Sequence, residues 1–357
     1  MTMCRSERPS IHDVARIAGV SAATVSKYLH GVKTIKPTNM KNIREAIDAL
    51  GYRLDPLAGD LRRERRNILG LVVPDLENEF FGAMACRIEL LAEAAGYSLS
   101  IASSHESEER ELRLIERMGD WRVAGTILAP VRSERGLGAK KMVDLGMDGV
   151  LLDRVESSGT HSTVSVDNSG ASAAVCRTLG EIGHSHVLII GPSDVSKNVR
   201  ARMNGFRNEA ARSFPYMNIG VLVSDADADA DSFREKLALY LKVEKPTAVF
   251  SLFQKGTLIA MTAFRRLGLR CPEDINLIGF DDAEWMQVTE PSVSVVVQPV
   301  ARLAETAFKT LLKILDTPNG TVKLHLEECQ LVLRGSVSLP KTHQGRFAIE
   351  VEPKLHI

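Results

Sequence analysis

Near the start of the chain, apolar residues return at helical spacing. Ile11, Val14, Ala15 and Ala18 fall on one helical face. Gly19 follows as a stop, since glycine enters the left-handed region without a Cβ penalty, and Ser21 is the candidate N-cap of a second helix. In that helix Val25 and Leu29 face the first, while Ala22, Ala23, Ser26 and Lys27 face outward. Met40, Ile43, Ile47 and Leu50 predict the core face of a third helix, opened by Thr38 and closed by Gly51-Tyr52. The first two helices have the spacing of a helix-turn-helix made for the DNA major groove. An ordinary helix pair in a small bundle has the same spacing.

Residues 53–67 form a basic connector in which Asp55 and Pro56 suit the start of a short helix over Pro56–Arg62. Gly59 weakens that helix by about 1 kcal/mol relative to alanine. From Asn67 the pattern changes to short continuous apolar runs, the mark of buried parallel strands. They are 68–74, 97–102, 125–129, 149–153, 187–191, 219–223, 247–251 and 275–280. Helical stretches such as 80–95, 107–119 and 256–267 separate them. Alternation over more than 200 residues predicts a doubly wound α/β body. The strands are too many for one comfortable sheet and are divided between two lobes.

Composition narrows the function. At 357 residues the chain is long enough for two or three domains. Its net charge of zero conceals an asymmetry: residues 1–66 hold 13 Lys/Arg against 7 Asp/Glu, and the remainder holds 32 against 38. A basic head on an acidic body suits a polyanion-binding module joined to a separate domain. Five scattered cysteines without a Cys-x-x-Cys pair argue against a disulfide framework and a zinc site, and fit a reducing cytoplasm. No apolar run is long enough to span a membrane and the basic N-terminus lacks a signal-peptide core, so a cytoplasmic protein without a membrane partner is expected. No Gly-x-Gly-x-x-Gly, P-loop, Gly-x-Ser-x-Gly or His-Glu-x-x-His is present, and His12, His184 and His186 lack partners at ligand spacing. Neither an enzyme, a metal site nor a bound cofactor is therefore expected. The run Asp225–Asp231, alternating with alanine, reads as a solvated loop, with a cation site as the alternative.

Over roughly residues 10–339 the chain resembles the lactose-repressor (LacI/GalR) family of bacterial transcription regulators. The matching stretches are Ile11–Ser21 with Thr24-Val-Ser26, Gly51-Tyr52-Arg53, Leu71–Phe81, Val166-Asp-Asn168, Gly183-His184, Arg202 with Gly205-Phe206, Pro272-Glu-Asp274 and Ile278–Asp282. The resemblance implies an N-terminal all-α helix-turn-helix domain and a two-lobed, periplasmic-binding-protein-like core of two doubly wound parallel sheets. It implies a DNA-binding domain at 1–54, a hinge at 55–67, one lobe at 68–165 with 298–329, the other at 166–297 with 330–340, and a tail at 341–357. Three strands would cross between the lobes near Ser165–Asn168, Val295–Gln298 and Gln330–Leu333.

The same resemblance implies the partners: a homodimer on a pseudo-palindromic operator, and a small carbohydrate-like effector held between the lobes, with repression as the commoner outcome. Base-reading positions correspond to Ala22, Ala23 and Lys27, phosphate-holding ones to Ser21, Thr24, Ser26 and His30. Leu61 matches the residue that wedges into the minor groove, although Gly59 and Asp60 depart from the family's hinge. The effector positions carried over are Asn78, Phe80, Phe81, Arg154, Arg202, Phe253, Gln254 and Asp281. For Asp281 a capping role, and for Arg202 an inter-lobe ion pair, are the structural alternatives. Phe253-Gln254 stands where sugar-binding members usually carry Asn-Asp, and Arg154, Arg202 and Lys255 tilt the expectation towards an anionic effector such as a sugar acid or sugar phosphate. A transport-type binding protein shares the core fold, but the basic head speaks against it.

Overall fold

A computed structural model describes residues 9–29, 35–52, 66–154, 159–192, 196–224, 230–317 and 321–338. The expected hinge helix, His30, Leu61, most of the alternating Asp225–Asp231 run and the tail from Lys341 lie outside the described residues. By contact the chain divides into Met1–Arg66 and Asn67–Ile357.

The first unit contains α1 (Ile11–Ala18), α2 (Ala22–Leu29) and α3 (Pro37–Leu50). Ser10 and Asp13 form a reciprocal capping box that satisfies the first amides of α1. Gly19 ends that helix at φ 64°, a left-handed position where glycine carries no steric cost. Ser21 takes the Thr24 amide at 3.2 Å, opening α2 as the sequence indicates. Val14, Ala15, Ala18, Val25, Ile43 and Ala46 form the small core. Two expectations change in α3. It opens one residue before Thr38, with Pro37 in its first turn and no side-chain cap. Met40 is exposed, and Ala46 takes the buried place instead; core residues 43 and 46 are then followed by half-buried Ile47 and Leu50.

In the second unit, strands and helices alternate as β1 (Arg66–Val73), α4 (Glu79–Ala94), β2 (Ser98–Ser103), α5 (Glu108–Asp120), β3 (Val123–Leu128), α6 (Leu137–Asp144), β4 (Gly149–Leu152) and β5 (Ser162–Val166). There follow α7 (Asn168–Glu181), β6 (His186–Gly191), α8 (Lys197–Ser213), β7 (Asn218–Val223), α9 (Ala230–Glu244), β8 (Ala248–Ser251) and α10 (Gln254–Leu267). The rest is β9 (Asn276–Phe280), α11 (Glu284–Val288), β10 (Ser294–Val297), α12 (Val300–Asp316), β11 (Leu324–Glu327) and β12 (Gln330–Val332). They build two six-stranded sheets, ordered β11-β5-β4-β3-β1-β2 and β12-β10-β9-β8-β6-β7. The two-lobed α/β expectation holds, with one exception to parallel pairing: β12 runs antiparallel to β10.

The chain changes sheets three times. Asp167 caps α7 immediately after β5, so Asn168 is helical where an extended crossing was expected. The second passage lies between β10 and α12, and the third falls between Glu327 and Gln330, earlier than expected. Two clusters flank each sheet: α4 and α12 pack on one side of the first and α5 and α6 on the other, and two more enclose the second. No helix among the described residues is long and apolar enough to cross a membrane.

Candidate functional site

In the helix-turn-helix, α2 presents Ser21, Ala23 and Lys27 to solvent, with Thr24 and Ser26 half-buried. The hydroxyls of Ser21 and Thr24 lie 2.8 Å apart, which fixes both near the helix start. Ala22 differs from the outward placement expected of it: its methyl is half-buried against the small core. Ala23 and Lys27, four apart, therefore make the open face of this helix.

The second cluster joins the lobes. β4 and β9 end in Asp153 and Asp281, both non-glycine residues in the left-handed region at φ 64° and 73°. Such backbone costs on the order of 1–3 kcal/mol and gathers at sites where a side chain must be aimed. Asp281 Oδ1 accepts from Gln298 Nε2 at 2.6 Å. Asn198 Nδ2, from α8, donates to Asp153 Oδ1 at 3.0 Å and to its carbonyl at 3.1 Å, linking one lobe to the other. Ser165 Oγ also donates to that carbonyl.

Arg202 of α8, only 7% exposed, lies within electrostatic reach of both carboxylates. Its Nε donates to Asn168 Oδ1 at 2.7 Å and its Nη1 to the Leu252 carbonyl at 2.8 Å. The guanidinium carbon sits 3.5 Å from the centroid of the Phe280 ring. Burial lowers the proton affinity of Arg202, against which Asp281 and Asp153 act. Burial pushes the Asp153 carboxyl up to about 6, despite Arg202 and Arg154 nearby; Asp281 is raised for the same reason and held back by Arg202. Buried Asp153, half-buried Asp281 and the stacked Arg202 guanidinium make a polar centre suited to hydroxyl donors and an acceptor.

The remaining effector positions divide. Asn78 caps α4 by accepting the Phe80 amide at 3.0 Å. Phe80 and Phe81 pack edge to face, 5.0 Å between centroids, inside the first lobe's core. Phe253 precedes α10 half-buried, its ring lying where a side chain at Gly256 would otherwise stand, and Gln254 begins that helix. Arg154 is the clearest departure. Its guanidinium grips Glu106 through two bonds of 3.0 and 2.7 Å and donates to the carbonyls of Pro130 and Val131. It braces three loops of one lobe, which withdraws a cation from the anionic-effector expectation. Lys255 is exposed on α10.

Asp153, Asn168, Asn198, Phe280 and Gln298 belong to this centre and were not among the sequence candidates. Asp153 had a signal, a carboxylate directly after an apolar strand; Asn198 and Gln298 had none, because their role depends on a partner lobe. Gln298 Oε1 is buried without a hydrogen-bond partner. Among the described residues no cluster of His, Cys, Asp or Glu could hold a metal.

Comparison with known proteins agrees with this fold. Residues 10–55 match the family model "Bacterial regulatory proteins, lacI family" and residues 176–337 match "Periplasmic binding protein-like domain". The transcriptional regulator reg1 of Streptomyces lividans is 30% identical over 359 residues, covering 94% of this chain and 98% of its own. A lac repressor dimer bound to operator and the anti-inducer ONPF superposes with a TM-score of 0.82 at 20% identity, over 92% of this chain and 99% of that one. A complex of the regulator CelR with cellobiose gives 0.69 at 23% identity, over 92% and 100%.

Proposed function

Because the chain belongs to the lactose-repressor (LacI/GalR) family of bacterial DNA-binding transcription regulators, we propose that it is a cytoplasmic homodimeric repressor whose grip on a pseudo-palindromic operator is set by a small effector between the lobes. The observation that carries the allosteric part is the Asp153–Arg202–Asp281 centre, assembled from both lobes and tied across them by Asn198. A ligand shifts the equilibrium between two lobe arrangements only by binding them unequally, and a centre drawn from both lobes satisfies that condition.

On DNA, Ala23 and Lys27 face the bases, with Ala22 contributing its methyl edge; Ser21, Thr24, Ser26 and His30 hold phosphates, and Leu61 enters the minor groove at the operator centre. In the core, Asp153 and Asp281 accept hydroxyls, Arg202 orients an acceptor, Phe253 and Gln254 border the site, and Phe80 and Phe81, packed in the first lobe's core behind the Asn78 cap, support its wall. The effector is hydroxyl-rich and carbohydrate-like, in keeping with the cellobiose held by CelR. A sugar acid or sugar phosphate would rest its anionic group on Arg202, since Arg154 is occupied by Glu106.

Electrophoretic retardation of random-sequence DNA by the full-length protein tests the first part. Binding that weakens with salt is expected; no retardation at low ionic strength overturns it. Calorimetric titration with a sugar acid and its neutral parent tests the second, and tighter binding of the neutral sugar would remove the anionic reading.

A further inference from the structure

We infer that the core carries a second small-molecule site, on the flank of the hinge, for an amphiphilic monocarboxylate. A groove of about 410 Å³ opens there between β11 of the first sheet and the starts of α7 and α8 beside the second. Its volume lies within the range of small-ligand pockets, roughly 300–1,000 Å³. Val166, Ala201, Leu324 and Leu326 supply the apolar lining. Leu324 and Leu326 are more than half exposed, 55% and 53%, on the outer face of β11. Two neighbouring leucines left open on an edge strand form an apolar floor that gains by being covered.

The rim selects the head group. Lys197 and Arg200, three apart in the first turn of α8, put two cations beside this floor, at the positive end of a 17-residue helix. Among the described residues, the acids at this rim are Asp167 and Glu134. Asp167 turns one oxygen to the Gly170 amide at 2.8 Å as the cap of α7. Glu134, on the loop after β3, pairs with Arg200 across the lobes. A ligand carboxylate would compete with the existing partners of both cations, Glu134 at Arg200 among them, loosening one contact between the lobes. Arg202 is buried beneath the groove, and the groove adjoins the effector centre through Asn168 and Asn198, which line it, while Asp153, Arg202 and Asp281 do not. Binding rests on the groove alone; any consequence for operator affinity rests on the two-lobe reading above.

Octanoate is the probe, titrated calorimetrically into the full-length protein, with 1-octanol as the uncharged control. Saturable octanoate binding is expected, weakened at least about tenfold in Leu326→Gln and in Lys197→Glu, with octanol markedly weaker. Asp281→Asn, which alters only the effector centre, is expected to bind octanoate as wild type does. Leu326 is exposed and Lys197 half-buried, and an unchanged urea midpoint verifies the fold of both variants. Absence of saturation in the wild type, wild-type affinity in both groove variants, equal binding of octanol, or loss in Asp281→Asn alone would each overturn the site.

Discussion

Lys27 stands on the exposed face of α2, one turn beyond Ala23, where a methyl is all its neighbour can offer a base edge. Polar readout on that face therefore falls to one flexible ammonium. Lys27→Ala is expected to lower the ratio of specific to nonspecific DNA affinity by about tenfold or more, read by competition retardation; an unchanged ratio would discard the assignment. Arg202 is a different kind of residue, because its direction is imposed by Asn168, Leu252 and Phe280. Asn168→Ala should weaken effector binding while leaving DNA binding without effector near wild type. Glu111 provides a pH test. Its carboxyl, 2% exposed, accepts the Val131 amide at 2.6 Å, yet burial drives it up to about 7. With the folded value above the unfolded one, stability is fully present below about pH 4.5 and declines as pH rises towards about 7. Glu111→Gln should flatten that part of the urea-midpoint profile, and a wild-type slope in the variant would refute the cause.

At the scale of elements, the packing of α7 on α8 depends on Gly205, where an added Cβ would stand 2.2 Å from the Ser169 carbonyl oxygen. Backbone on both sides cannot yield cheaply, so Gly205→Ala should cost about 1–3 kcal/mol or more in equilibrium unfolding. Because α8 carries Asn198 and Arg202, the same change should weaken effector binding. Periodicity made these elements legible: strands such as Val187–Gly191 are bounded by glycine and polar residues, and every inward position is apolar. It was less informative at α3, where the three-four-three spacing included Met40 although the helix turns that residue to water. Helix starts also escaped it, since Pro37 opens α3 without the hydroxyl cap that Thr38 suggested.

For the whole molecule, the sequence was most readable where function is local and least where it needs two distant segments. The turn from Ala18 to Ser21 is encoded in consecutive residues. Asp153, by contrast, meets Asn198 only because two sheets are brought together by the strand exchanges, and no spacing rule couples positions 45 apart. The pairing of Arg154 with Glu106 was hidden for the same reason, since the partner lies 48 residues earlier.

The backbone at Asp153 and Asp281 is of the kind glycine adopts without strain. A descendant that exchanged either aspartate for glycine would keep the loop's path and relieve a steric cost, but would remove an acceptor from Asn198 or Gln298 and a counter-charge from buried Arg202. The two strand ends thus set backbone ease against side-chain bonding, and an aspartate persists at each where glycine would fold more freely because its carboxylate is in use.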